Sequence, residues 1–166
     1  MGNLAISVRR ATPRDAIELA TLVNEAYEVE GDFVDGPRTT PAEVAELTRN
    51  GAFLVLEQAG GLAAAVCVER RGSAAYFGML SVRPELQGMG LGVRMVRIAE
   101  AMGEAMGARA MTLKIVNLRE ELARWYKSLG YREVGTAPYA HRPVKQPCHF
   151  IEMQKPLATG VEAALA

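Results

Sequence analysis

The sequence predicts an α/β fold built on a mixed sheet, with helices on both faces and the element order βααβββαβαββ. Three observations carry this. Short apolar runs suited to strands are interleaved with longer stretches whose apolar residues recur every three or four positions. Strands in the middle of the chain follow one another through tight turns, which gives antiparallel hairpins. Helices separate the other strands, which calls for crossover connections and some parallel pairing.

Taken in order, Ile6 and Val8 alternate with polar neighbours and predict a first strand over 5–10. Thr12-Pro13-Arg14-Asp15 supplies an N-cap, a proline at the first helical position and an early acid. Leu19, Leu22, Val23 and Ala26 then share one face, so a helix is expected over 13–27. Residues 28–40 hold Gly31, Gly36 and Pro37 without a period and read as a loop. Thr40-Pro41-Ala42-Glu43 has the capping-box spacing and starts a second helix, which stops at Asn50-Gly51. Strands over 52–57 and 62–70 flank the turn Ala59-Gly60-Gly61, and Arg71-Gly72-Ser73 leads into a strand over 74–82.

Leu91, Met95, Ile98 and Met102 mark a third helix, closed by Gly107, and residues 110–116 form the next strand. Leu118, Leu122, Trp125 and Leu129 make one helical stripe ending at Gly130. This predicts a buried Trp125. Tyr126, about 100° further round the helix, is expected to flank the apolar face and point into a crevice. Residues 131–135 and 148–153 complete the sheet. With no repeat and no dividing linker, a single domain is expected over 1–157, with a flexible tail over 158–166.

The bulk properties narrow the function. Apolar residues make up 49% of the chain, enough for a proper core, and formal net charge is zero. A nucleic-acid or anionic-membrane partner would call for a basic surplus, so neither is expected. No stretch approaches the roughly 18 apolar residues of a membrane span. The first residues lack a basic start and a long apolar run, so no signal peptide is expected. Cys67 and Cys148 read as reduced residues of a cytoplasmic protein rather than a disulfide framework. Two histidines and two cysteines lack ligand spacing, so no metal is expected.

The most informative stretch is Leu80-Ser-Val-Arg-Pro-Glu-Leu-Gln-Gly-Met-Gly-Leu-Gly92. An apolar strand runs into a loop in which Gln87, Gly90 and Gly92 fit Q-x-x-G-x-G, and a helical pattern follows at once. Glycines at such a turn let backbone N–H groups cradle an anion, facing the positive end of the helix dipole. A pyrophosphate is the expected guest. The dinucleotide fingerprint G-x-G-x-x-G fails, because its third glycine would fall on Val93, and the P-loop G-K-[ST] is absent. A glycine-rich turn that merely starts a helix is the plainer alternative.

The loop wording resembles the acyl-CoA loop of the GNAT superfamily of N-acetyltransferases, and the element order resembles that family's fold. A second stretch, from Asn117 to Gly130-Tyr131, is similar to the family's other signature, with Tyr126 at the family spacing before Gly130-Tyr131. The interval from Asn117 to Tyr126 is about two residues longer than the commonest pattern.

The resemblance implies an enzyme that uses acetyl-CoA as cosubstrate, without a metal, and a small-molecule or peptide amine as acceptor. It assigns cofactor contacts to Leu80, Ser81, Val82, Gln87, Gly88, Met89, Gly90, Leu91, Gly92, Asn117 and Tyr126. Arg83, Arg94 and Arg97 lie close enough in sequence to be phosphate partners. Tyr126 becomes the catalytic acid, although a tyrosine that only packs its ring and wets its hydroxyl fits the residues too. The glutamate that many members carry on the strand before the loop is absent. Glu28, Glu30, Glu69, His141 and His149 are left as candidate bases. Acceptor specificity is expected in residues 27–40 and 136–147, where Glu28, Glu30, Asp32 and Asp35 would favour a cationic amine. Members often pair through strand edges, so a homodimer is compatible. A non-catalytic acyl-CoA sensor on the same fold remains the alternative.

Overall fold

The computed structural model describes residues 5–158; of the expected tail only Ala158 falls within it. The elements are β1 (Ile6–Arg10), α1 (Ala16–Ala26), α2 (Pro41–Arg49), β2 (Phe53–Gln58), β3 (Gly61–Arg71), β4 (Ala74–Val82), α3 (Leu91–Ala105), β5 (Ala110–Val116), α4 (Glu120–Ser128), β6 (Arg132–Pro138) and β7 (His149–Pro156). This is the expected order. The seven strands follow β1-β2-β3-β4-β5-β7-β6, with β4 and β5 parallel. The pairs β1–β2, β2–β3, β5–β7 and β6–β7 are antiparallel, so the sheet is mixed as expected.

The chain divides into two compact units. The first holds residues 5–29, 37–68 and 79–99. Its β2–β3 hairpin turns through Ala59 (φ 53°) and Gly60 (φ 78°). Positive φ at both central residues matches the right-handed twist of the flanking strands. Helices α1 and α2 bring Leu19, Leu22, Val23 and Val44 onto Phe53, Val55, Leu62 and Ala65, all buried. Each such apolar side chain stabilises the fold by roughly 1.5–3 kcal/mol. Proline starts both helical segments as the sequence suggested, but Pro13–Asp15 forms a 3₁₀ turn, so α1 proper begins at Ala16. At α2 the Thr40 hydroxyl accepts from the Glu43 N–H at 3.2 Å.

The second unit holds residues 30–36, 69–78 and 100–158. Strand β7 lies between β5 and β6, and its seven-pair register with β5 runs from Ala110↔Pro156 to Val116↔Phe150. Both final strands run about three residues beyond their predicted ends, because β7 is hydrogen-bonded on both sides. Gly103 on α3 permits close packing here: a Cβ would come within 3.0 Å of Met111 and Leu157 and 3.3 Å of Ala75.

In the first unit Arg9 ties β1 to the entrance of α1. It donates to both Asp15 oxygens, at 2.8 and 2.9 Å, and to Glu57 at 2.7 Å. The Thr12 N–H also donates to Asp15, at 2.8 Å. Hydrogen bonding to Arg9 holds the Asp15 carboxyl down at about 2, against an ordinary 3.8. A carboxyl depressed in the folded state stabilises above its unfolded value, and that stability goes as pH falls through the folded value. We therefore expect stability to decline between about pH 4 and pH 2 by on the order of 1 kcal/mol, screening at the half-exposed Arg9 included. Urea midpoints measured across that window should show the decline in the unaltered chain, and Asp15→Asn should flatten it.

Candidate functional site

The strand-to-helix turn singled out in the sequence lies in the first unit, and its backbone is built to leave amides open. Within β4, Met79 has φ 51°, a left-handed conformation uncommon for a non-glycine residue, which breaks the strand's pleat. Ser81 is buried, and its hydroxyl donates to the Met79 carbonyl at 2.9 Å. The Arg83 N–H donates to the Ala63 carbonyl at 2.9 Å, which fixes the root of the loop to β3. A 3₁₀ turn over Pro84–Leu86 follows, and the Gln87 side-chain amide reaches back to the Val82 carbonyl at 3.2 Å.

Gly88 (φ 80°) and Gly90 (φ 83°) then turn the chain. A Cβ at either position would meet nothing within 4 Å, so glycine serves here for its conformation and not for space. The side around them is open: Gln87, Gly88, Met89 and Gly90 are exposed. Helix α3 starts at Leu91, and its first ladder bond runs from the Arg94 N–H to the Gly90 carbonyl at 3.1 Å. The N–H groups of Leu91, Gly92 and Val93 therefore have no carbonyl within the helix. With a helix terminus worth roughly half a positive charge, this turn suits a diphosphate.

The arginines divide. Arg83 is held within the fold: it donates to the Leu62 carbonyl and lies 3.9 Å from Glu18 and 3.8 Å from Glu85. Arg94 and Arg97 stand exposed on α3.

Tyr126 and Asn117 belong to the second unit. Here the structure corrects the predicted helical phase. Tyr126 is the buried residue, 5% exposed, and Trp125 is only partly covered. The Tyr126 ring packs 6.0 Å from Phe77, 5.7 Å from Tyr131 and 4.8 Å from Trp125, centroid to centroid. The inward face of α4 centres on Ala123 and Tyr126, both buried and about one turn apart. Leu122, Trp125 and Leu129 flank it. Asn117 acts as a clamp between strand ends: its side-chain oxygen accepts from the His149 N–H at 2.9 Å, and its own N–H donates to the His149 carbonyl at 2.9 Å. In the same unit the β4–β5 ladder consists of two pairs, Ala75↔Met111 and Tyr76↔Thr112.

The candidate bases meet different fates. Glu30, expected as a candidate base and as one of the acids that favour a cationic amine, is buried at 4% exposure and engages Arg119 at 3.5 Å and Arg142 at 3.1 Å. Two guanidiniums neutralise it, so it is not a free acid. Asp35 faces Lys145 at 3.7 Å, and Glu28 and Asp32 are exposed. Glu69 pairs with Arg71 at 3.1 Å. His141 packs edge-on to Tyr139 and against Phe150, while His149 is exposed. Sequence reasoning missed Glu100, a buried carboxylate that accepts from the Tyr131 hydroxyl at 3.1 Å and from Lys155 at 3.0 Å. Its partners lie 31 and 55 residues away, and no local pattern announces them. Among the described residues no group of three or more His, Cys, Asp or Glu side chains is arranged to hold a metal ion.

Comparison with known proteins agrees with this architecture. yncA of Salmonella typhimurium, solved with its cofactor acetyl-CoA, superposes with a TM-score of 0.75 at 17% identity, covering 93% of this chain and 95% of that one. A ribosomal-protein-alanine N-acetyltransferase from Brucella melitensis gives 0.75 at 17% identity over 91% and 99%. These likenesses are of fold. In sequence, an uncharacterised N-acetyltransferase of Schizosaccharomyces pombe is 35% identical over 77 residues, 46% of this chain. The match spans 46% of that protein, somewhat under half its length. Residues 49–133, just over half of the chain, match the acetyltransferase (GNAT) domain model. The chain therefore belongs to the GNAT acetyltransferase family.

Proposed function

We propose that this chain transfers an acetyl group from acetyl-CoA to a primary amine by direct attack within a ternary complex. The observation that carries the reading is the turn from Gln87 to Gly92, where two left-handed glycines open the first amides of α3 to an anion. Family membership and the acetyl-CoA bound by yncA support the same cosubstrate.

In this reading the amides of Gln87, Gly88, Met89, Gly90, Leu91 and Gly92 receive the diphosphate. The main chain of Leu80, Ser81 and Val82 receives the pantetheine arm, as a strand edge receives another strand. The short β4–β5 ladder and the break at Met79 favour this, since both take backbone groups out of regular pairing. The Leu80 N–H would then stabilise the oxyanion of the tetrahedral intermediate; such donors contribute roughly 3 kcal/mol. The amine nitrogen forms its bond to the acetyl carbon, the intermediate collapses, and the carbon–sulfur bond breaks toward sulfur. Tyr126 gives its proton to the departing thiolate, a transfer between groups of pKa near ~10 and ~8.5. Asn117 is assigned the remaining cofactor contact. An alkylamine of pKa ~10.4 must shed a proton before attack. With Glu30 held by two arginines, no side chain is assigned to that step: water takes the ammonium proton before attack and the second nitrogen proton as the amide forms, and a proton from water restores the Tyr126 phenol.

Acceptor selection is assigned to residues 27–40 and 136–147, and the acceptor class to small-molecule or peptide amines. Among the described residues no helix is long and apolar enough to cross a membrane, and Cys67 and Cys148 are thiols not joined in a disulfide. Burial pushes the Cys148 thiol up, away from the reactive thiolate. We place the protein in a reducing compartment, the cytoplasm.

Calorimetry with acetyl-CoA and thiol release across an amine panel test the proposal together. Heat of binding with amine-dependent thiol release is expected. Binding without release would replace the enzyme with a sensor, and no binding would remove the cofactor assignment. Gly90→Ala forces an L-residue into the left-handed region at about 1 kcal/mol, and should weaken acetyl-CoA binding by several-fold in the same calorimeter. Tyr126→Phe should lower turnover by about 10²-fold while acetyl-CoA affinity stays within about twofold. Unchanged turnover would take the acid role from Tyr126. Tyr126→Ala should instead cost about 3–5 kcal/mol of stability, read from urea denaturation, because three aromatic rings lose their partner.

A further inference from the structure

The second unit gathers two chain segments far apart in sequence around one carboxylate. Residues 30–36 and 139–147 are zipped by main-chain bonds: the Asp35 N–H donates to the Pro143 carbonyl at 2.9 Å, and the Lys145 N–H to the Phe33 carbonyl at 2.7 Å. Val34 and Val144 form a bridge between them. The Lys145 ammonium donates to the Gly31 carbonyl at 2.7 Å. Beneath this zipper sits the buried Glu30. Arg142, its side chain 9% exposed, donates to Glu30 at 3.1 Å, to the Gly36 carbonyl at 3.0 Å and to the Tyr139 hydroxyl at 3.1 Å. Arg119, which caps the N-terminus of α4, engages the other Glu30 oxygen at 3.5 Å. One carboxylate thus joins both segments to the helix that carries Tyr126, seven residues and about 10 Å of helical rise further on.

We infer that Glu30 is a positioning residue for the amine acceptor, holding residues 30–36 and 139–147 as one preformed wall on the helix of Tyr126. The inference rests on the acetyl-transfer reading and deepens it. A buried carboxylate between two guanidiniums adds little net stability, but loss of one partner strands the others. Its use is geometric. Neither segment contains α-helix, the first only leaving a 3₁₀ turn at Glu30, and their own bonds join them to each other and not to α4. An acceptor nitrogen must be held within a few tenths of an ångström of its line of attack, and small misplacements lower rates by large factors. The exposed atoms of this wall include the Asp32 carboxylate, which suits an acceptor that arrives as a cation.

The test uses the full chain with spermidine and an alanine-initiated peptide as acceptor probes. In Glu30→Gln the KM for whichever probe the unaltered chain acetylates should rise about tenfold, with a smaller fall in kcat. The acetyl-CoA Kd from calorimetry should stay within about twofold. Glu30→Asp should recover part of the loss, since it restores the charge. Should Glu30→Gln not fold, Arg142→Gln cuts the tie of the 139–147 segment to the carboxylate while leaving the Glu30–Arg119 pair, and the same split between the two substrates is expected. An unchanged acceptor KM in a folded variant overturns this inference and leaves the acetyl-transfer reading standing. Equal weakening of both substrates also overturns it, because the effect is then general. No acetylation of either probe by an unaltered chain that binds acetyl-CoA overturns the acceptor role together with the transfer reading.

Discussion

A helix that starts at Leu91 leaves its leading amides without carbonyl partners, and the chain has to bring them to the surface pointing the same way. Two glycines at positive φ do this, and they can do it only if the strand feeding them is rigid. The rigidity comes from β3. The Arg83 N–H is bonded to Ala63, the Arg83 side chain is anchored at Leu62, and Gln87 closes the loop onto Val82. Phe53, Val55 and Leu62 pack under α1 and α2, so the strands behind the loop belong to a dense core. The anion seat is an outcome of that packing as much as of the loop's own residues.

The second unit handles charge where the first handles backbone. Among the described residues its buried carboxylates, Glu30 and Glu100, each meet at least two partners. Burying a carboxylate is costly unless it is paired and hydrogen-bonded, so such groups constrain geometry more than they stabilise. Glu100 orients Tyr131, and Tyr131 packs edge-on against Tyr126. The phenol assigned the proton transfer is therefore held at one remove by the Glu100 carboxylate on α3. An aromatic cluster alone would tolerate small rotations of the ring; a hydrogen-bonded neighbour restricts them.

Local chemistry was readable in the sequence and long-range pairing was not. The threonine–proline starts at Thr12 and Thr40, and the glycine turns at Gly60, Gly72, Gly107 and Gly130, act within four or five residues, and the elements they mark are present, with a 3₁₀ turn over Pro13–Asp15 ahead of α1. Strand ends were less legible: β6 and β7 extend because they find partners, which no single segment encodes. The stripe Leu118, Leu122, Trp125 and Leu129 predicts the wrong phase for α4: the structure buries Ala123 and Tyr126. The Tyr126 ring finds Phe77 and Tyr131 on other elements, and the helix's own sequence does not encode those partners. The burial of Glu30 is not legible locally, because its partners lie 89 and 112 residues downstream.

This asymmetry has a physical origin. Main-chain recognition of a phosphate requires particular φ values in a short loop, and only glycine adopts them freely, so the requirement leaves a mark in the sequence. An acceptor wall is made by side chains from separate segments, and many residue combinations could build an equivalent one. Its specification lies in which distant charges meet. In this chain those are one glutamate and two arginines, none of which stands out among 19 acidic and 19 basic residues. Reading a cosubstrate from such a sequence is thus easier than reading an acceptor, because the cosubstrate is held by backbone and the acceptor by pairs that exist only after folding.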